Sequence, residues 1–297
     1  MRSIKILHSA DFHMDSPFDS LSDSKAAIRR AELRQLPQKI AKLAVSEKAD
    51  LILLCGDLLD SDSVFKETGE ELLDSFRMTQ IPVFIAPGNH DYYHAKTVYA
   101  SQNLPENIFI FKKNAIEYYD FPEKGFRVYG AGFTDRSAPP LLNGFRVKHE
   151  EEIVKVMCLH GDVGVPDSPY NPIYAEQIRE SGLDYLALGH IHKASGLQKE
   201  GSTFYSYSGC AEGRGFDETG EKTVNIISIE NGKCTLCPVS VAARKYEKIE
   251  VDISDKDPLF SIQLNLPDET IRDIYRIIIK GTAENCLVDR ADKAFNG

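Results

Sequence analysis

The sequence has no long hydrophobic run. Its longest, Leu51–Cys55, falls far short of the roughly 20 apolar residues that a membrane-crossing helix needs. The opening Met1–His8 lacks the layout of a secretion signal, so we expect a cytoplasmic protein with no membrane partner. Positive charge is also scarce: 35 Lys and Arg stand against 45 Asp and Glu, a net charge of −10 over 297 residues. That excludes binding of polyanions through overall charge; contact with phosphate needs a local basic path or bound cations. Cysteine is sparse. Of the six, Cys55 and Cys158 each close an apolar run and read as buried thiols. Cys210 and Cys286 stand alone, and Cys234 and Cys237 form a single C-x-x-C with no second pair. A structural zinc normally takes four ligands, so two incidental strand cysteines are the expectation. Internal repeats and low-complexity tracts are absent.

What remains is ordinary globular composition, 42% hydrophobic and 27% charged, long enough for one large domain or two smaller ones. Short apolar runs at 4–8, 50–55 and 82–86 predict buried strands. Helical spacing between them predicts helices over 24–48 and 67–79. In the first, Ile28, Leu33, Leu36, Ile40 and Leu43 should face inward, and Pro37 should interrupt or kink it. This alternation means βαβ crossovers and a parallel sheet, an α/β fold. The middle is richer in strands, at 108–111, 115–119, 126–132 and 153–159. A proline-containing loop, a helix over 173–180 and a strand over 185–188 follow. Residues 203–241 look hairpin-like, with Asn231-Gly232 as a turn. His149 with Glu150–Glu152 reads as a solvated helix start. The pattern changes near Asp255–Pro258, which divides the chain into 1–250 and a short extension over 251–297. The ending at Asn296-Gly297 carries no stop signal and suggests a fragment of something longer.

Five clusters place polar, metal-binding side chains directly behind predicted strands: Asp11-Phe12-His13, Gly56-Asp57-Leu58-Leu59-Asp60, Gly88-Asn89-His90-Asp91, Leu159-His160-Gly161 and Gly189-His190-Ile191-His192. Strand ends converge on one edge of an α/β sheet, where such folds place their sites. Along an extended segment, Asp11 with His13 and His190 with His192 would each point the same way. Any one cluster is unremarkable; the five in order predict a dinuclear metal site. Mixed oxygen and nitrogen donors suit Mn²⁺, Fe or Zn²⁺ better than Ca²⁺. Tyr92 could stack on a base or simply pack. Arg214, on the glycine-flanked loop Glu212–Phe216, could contact phosphate or be a plain loop residue.

The clusters D-x-H, G-D-x-x-D, G-N-H-[DE], H and G-H-x-H, over residues 6–192, resemble those of the calcineurin-like metallophosphoesterases. The flanking Ile6–His13, Cys55–Asp60, Leu188–His192 and Tyr207–Gly209 are similar to the bacterial SbcD-type DNA repair exonucleases. That resemblance implies a four-layer α/β/β/α sandwich of mixed sheets with a short C-terminal αβ extension. One metal would be held by Asp11, His13, Asp57 and His192, the other by Asp57, Asn89, His160 and His190. His90 would act as general acid on the leaving oxygen, oriented by Asp60, while a two-metal-bound hydroxide attacks. It implies DNA, as duplex ends or single strands, as substrate. An SbcC-like SMC-type ATPase and a second copy of the chain are the implied partners, and two Mn²⁺ ions (or Fe or Zn²⁺) the cofactors. The alternative is a phosphodiesterase for cyclic nucleotides or nucleotide diesters; a catalytically silent scaffold is disfavoured by the complete ligand set.

Overall fold

The computed structural model describes residues 3–61, 66–147, 153–254, 257–267 and 272–282; His149, Glu150–Glu152 and Cys286 lie outside them. In chain order its elements are β1 (Ile4–Ser9), α1 (Asp23–Ser46), β2 (Leu51–Leu54), α2 (Lys66–Arg77), β3 (Val83–Ile85), β4 (Ile108–Ile110) and β5 (Glu117–Phe121). Then come β6 (Phe126–Gly130), β7 (Val154–His160), β8 (Asp162–Val163), β9 (Pro172–Ile173), α3 (Ala175–Ser181), β10 (Tyr185–Gly189), β11 (Gln198–Glu200) and β12 (Thr203–Tyr207). The last are β13 (Thr223–Glu230), β14 (Lys233–Ser240), β15 (Tyr246–Asp252), α4 (Pro258–Asn265) and β16 (Ile274–Lys280).

Two six-stranded sheets form among the described residues, in the orders β14-β13-β1-β2-β3-β4 and β11-β12-β10-β7-β6-β5. In the first, β1 to β4 run parallel and β13 pairs antiparallel to β1. In the second, β6, β7, β10 and β12 run parallel, flanked by antiparallel β5 and β11. Side chains alternate across each strand, and the alternation builds the layers. Leu7, Ile52, Leu54 and Ile85 pack outward with Leu33, Leu36 and Ile40 of α1 and with Leu72 and Phe76 of α2. Ile6, Leu53 and Phe84 pack inward against Val128, Val156 and Ala187 of the other sheet. The opposite face of that sheet, with Met157, Leu186 and Leu188, packs with Ile178 of α3. The result is the four-layer α/β/β/α sandwich of mixed sheets.

Three local expectations change. The first helix runs through Pro37, whose ring is buried in the outer core. Ile28 is 52% exposed and Arg29 takes the inward place, 2% exposed. Positions 29, 33, 36, 40 and 44 keep the 3- and 4-residue steps of one helix face, and Ile28 is a residue out of phase. The Arg29 guanidinium is matched by Glu212 at 2.6 Å and by Glu32. Finally, β12 joins β10 in the second sheet, and only β13 and β14 make the hairpin. Its turn has Asn231 and Gly232 both in the left-handed region, φ 50° and 73°, as a two-residue hairpin turn requires. Cys234 is buried and Cys237 exposed, which matches incidental placement on a strand.

The chain divides into two compact units: Met1–Glu212 with Lys222–Val241, and Gly213–Glu221 with Ala242–Gly297. In the second, β15 and β16 pair in parallel, and Val251, Ile253 and Ile262 form a small core. No helix among the described residues is long and apolar enough to cross a membrane.

Candidate metal centre

Asp11, Asp57, Asn89, His160 and His190 follow or end β1, β2, β3, β7 and β10, at the C-terminal ends of strands parallel within their own sheets. The segment after β1 runs beside the segment after β2. Asp11 N–H donates to the Gly56 carbonyl (3.0 Å), His13 to Asp57 (2.9 Å) and Met14 to Leu58 (3.0 Å). The D-x-H segment is therefore not extended: Asp11 and His13 both have left-handed backbones, at φ 55° and 49°. Asp57 (φ 51°) and His190 (φ 103°) share that strain, which L-residues hold only where the surroundings over-determine it, typically at functional sites. Gly56 and Gly88 allow the strand ends to close up. A Cβ on Gly56 would stand 2.7 Å from His160 Nδ1, and one on Gly88 would collide with the Asp57 carboxylate.

Asp11, His13, Asp57 and His160 are each at most 2% exposed, and their donor atoms converge. Asp11, His13 and His192 form one group, and Asp57, His160 and His190 another; a third joins His13, Asp57 and His90. Within each group the ligand atoms lie within 4.8 Å of one another. His13 Nε2 faces His192 Nε2 at 3.1 Å. His160 Nε2 lies 3.0 Å from Asn89 Oδ1 and 3.2 Å from His190 Nδ1. Asp57 Oδ2 sits between the groups, 3.4 Å from His160 Nε2 and 3.9 Å from His13 Nε2. Imidazole nitrogens aimed at each other repel unless a proton or cation lies among them. The donor set thus fits two divalent cations with Asp57 shared, and the seven residues named from the motifs are all brought together.

The backs of these ligands are held. His160 Nδ1 donates to the Cys55 carbonyl at 2.8 Å, which turns Nε2 to the site. His13 Nδ1 lies 3.0 Å from Asp60 Oδ1, with the same consequence. Asp11 accepts the His190 backbone N–H (3.1 Å), and Asp57 accepts that of His90 (2.9 Å). The carboxylate of Asp60 thus bears on His13, and what His90 Nδ1 meets is the backbone carbonyl of Asp60, at 3.1 Å. Substitution of Asp60 keeps that carbonyl, so its side chain acts on the His13 ligand.

Burial, aided by the Asp57 charge, pushes Asp11 up to about 7 against the pull of His160 and His192. Burial alone would lower His160, but the Asp57 carboxylate outweighs it and lifts the imidazole to about 9. His190 falls to about 4, through burial first and then the neighbouring His160. Asp57 stays below the ordinary carboxylate range because His160, His13 and His90 overcome its burial. A metal bound here would have to displace these protons. As ligands, Asp11 and His160 would act only when deprotonated, so affinity should rise with pH toward their values of about 7 and about 9. Between pH 6.5 and 8.5, Mn²⁺ titrations should tighten by about tenfold per pH unit for each proton released; a pH-independent affinity would refute this.

His90 is exposed and packs edge-on to the His13 ring, with centroids 4.8 Å apart. Tyr92 is half-buried beside His94, at 5.4 Å between rings. Arg214 belongs to the second unit, where its backbone N–H and guanidinium bind Glu218 at 2.8 and 3.1 Å. His8 is a fully buried strand residue, its ring 2.8 Å from the Tyr185 hydroxyl. One positioning group had no assigned role. Asp91, 1% exposed, accepts from Gly88 N–H (2.7 Å), Asp57 N–H (3.1 Å), Leu58 N–H (2.9 Å) and the Tyr99 hydroxyl (2.6 Å). It ties the Gly56–Asp60 and Gly88–Asp91 loops together; the motif contains it, but nothing local points to Tyr99.

Residues 4–194 match the calcineurin-like phosphoesterase family. The chain is 27% identical to the uncharacterized metallophosphoesterase YhaO of Bacillus subtilis, over 97% of this chain and 74% of that protein. It is 23% identical to the DNA double-strand break repair protein Mre11 of Saccharolobus solfataricus, over 94% of this chain and 75% of that one. The fold is similar to that of TT1561 of Thermus thermophilus, with a TM-score of 0.50 and 13% identity, covering 80% of this chain and 99% of that one. A family match across most of the chain, over a range that contains the strand-end donors that converge in the structure, places this protein in the calcineurin-like phosphoesterases, and so among the phosphoester hydrolases.

Proposed function

We propose that this chain is a metal-dependent phosphodiester hydrolase acting on DNA, an exonuclease or endonuclease of SbcD type. The observation that carries the reading is the pair of donor groups with the Asp57 carboxylate between them and His90 beside them. The likeness to the archaeal repair protein, across almost all of the chain, supports DNA as the substrate. One position would be held by Asp11, His13, Asp57 and His192, the other by Asp57, Asn89, His160 and His190. When bound, two divalent cations supply Lewis acidity, neutralising charge on the phosphoryl oxygens and providing a nucleophile at neutral pH.

The residues of the chain do the rest. His90 Nδ1 donates to the Asp60 carbonyl, so Nε2 is the nitrogen that gains and releases a proton, and it is the imidazolium form that acts as the acid. As the P–O bond breaks in line, that proton passes to the departing oxygen. Asp57 fixes the His90 backbone, and Asp91 ties together the two loops that carry them. Tyr92, two residues on, is the proposed stacking surface for a base. Arg214 is the proposed phosphate contact, a role that competes with its ion pair to Glu218. Mn²⁺ is the proposed working ion, with an SbcC-like SMC-type ATPase and a second copy of the chain as partners in the cytoplasm.

The test is a gel assay with Mn²⁺ on end-labelled duplex and single-stranded DNA. Cleavage that falls about 10²–10⁴-fold in His90→Ala, with Mn²⁺ binding retained, establishes the reading. Hydrolysis of a small chromogenic diester without cleavage of either DNA would overturn the nuclease assignment and leave a small-substrate phosphodiesterase.

A further inference from the structure

His190 is held differently from the other ligands. Its Nδ1 is the nitrogen that faces His160 Nε2, so its Nε2 points away from the donor group. That nitrogen lies 3.4 Å from Oδ2 of Asp162, a carboxylate only 7% exposed. The same Oδ2 accepts from the Ser168 hydroxyl at 2.5 Å, and the Ser168 oxygen in turn accepts from Tyr170 N–H at 3.1 Å. Tyr170 covers His190, with ring centroids 4.9 Å apart. The turn is anchored at both ends: Asp162 N–H donates to the Tyr170 carbonyl (3.1 Å), and the Asn171 amide donates to the His160 carbonyl (2.8 Å). A left-handed backbone at φ 103° does not by itself fix the ring. An imidazole has two interconvertible tautomers, and the partner of one nitrogen decides which the other can be.

We propose that Asp162 is a positioning residue for one cation: it holds His190 as the Nε2–H tautomer, so that the lone pair on Nδ1 is presented with Asp57, Asn89 and His160. Asp162 is not a ligand, because it meets the nitrogen on the far side of the ring. Ser168 and Tyr170 hold the carboxylate and the ring against each other. The inference rests on the two-cation reading above but not on DNA being the substrate. It makes the two cation positions separable, since no Asp162 contact reaches the Asp11–His13–His192 group in the geometry described.

The experiment counts free Mn²⁺ by electron paramagnetic resonance during titration of metal-free protein at fixed pH. Wild type should bind two ions. In Asp162→Ala, one should weaken by about 10–100-fold while the other keeps its affinity; Asp162→Asn, which can still accept a hydrogen bond, should lie between. In a His190→Ala background, Asp162→Ala should have no further effect on binding, because the ring through which it acts is gone. Thermal unfolding of the metal-free variants reports folding independently. Two ions bound as in wild type by Asp162→Ala would overturn the inference and leave the two-cation reading intact. So would equal weakening of both ions. A wild type that binds fewer than two ions overturns both. No DNA is present, so a failed nuclease assay does not bear on the result.

Discussion

Asp57→Asn will slow hydrolysis by about 10³-fold or more and weaken both cation positions together. Its carboxylate lies near both ligand sets, 3.4 Å from His160 Nε2 and 3.9 Å from His13 Nε2, and is 2% exposed. Asparagine keeps the volume and an acceptor for the His90 backbone N–H, but not the charge that pairs with a buried cation. Cations contribute several kcal/mol to such a transition state, and each 1.4 kcal/mol is tenfold. Turnover of a small phosphodiester should therefore fall by about 10³-fold or more, with Mn²⁺ binding weakened at both positions. The metal-free protein offers a second readout. His160 sits at about 9 because Asp57, helped by Asp11 and the Cys55 carbonyl, outweighs burial. Without the Asp57 charge the balance moves toward burial, and the imidazole should titrate lower. Imidazole proton shifts followed by NMR across pH 5–10 would show this. An Asp57→Asn protein that keeps one tight Mn²⁺ would show that Asp57 is not shared.

Gly189→Ala carries the largest expected loss of stability. Gly189 ends β10, and here the two sheets touch. A Cβ would fall inside the Cys55 carbonyl oxygen and stand 2.8 Å from the Ala10 Cβ. Neither neighbour can yield cheaply: one is backbone, and the other is the side chain of a residue at the end of β1. The same carbonyl accepts from His160 Nδ1, so relief of the clash moves a ligand. Overpacking of this kind costs about 3 kcal/mol or more where the backbone itself must shift. At roughly 2–4 °C per kcal/mol for a unit of this size, the unfolding midpoint should drop by several degrees or more, with weaker Mn²⁺ binding. A midpoint within a degree of wild type would show that the sheets separate there at little cost.

Much of the site was legible in the chain. Each donor follows a short apolar run, and such a run reads as a buried strand whatever its partners. The order of Asp11, Asp57, Asn89, His160 and His190 behind strands is a local property, whereas the demand for glycine at 56, 88 and 189 comes from groups distant in the chain. The Asn231-Gly232 hairpin was equally plain, because its turn chemistry and both of its strands lie within a few residues. The periodicity of α1 predicted the inward Leu33, Leu36 and Ile40 but mistook Ile28 for Arg29. One step along a helix is a 100° turn, and the partner that neutralises Arg29, Glu212, is 183 residues away.

What the sequence by itself determined is therefore the donor inventory and the strands that carry it; their convergence joins the strand ends of two sheets rather than one edge of a single sheet. Tertiary structure alone decided which nitrogen each histidine presents, and what holds it. The family resemblance implies Asp60 as a partner for His90, yet its carboxylate lies against His13, because the segment after β1 is hydrogen-bonded alongside the segment after β2. Asp162 reaches His190 across 28 residues because β7 and β10 are neighbours in one sheet. Likewise β12 left the apparent hairpin for the second sheet. Periodicity and turn chemistry act over a few residues, whereas strand pairing, tautomer choice and the second contact of a carboxylate are settled by groups distant in the chain.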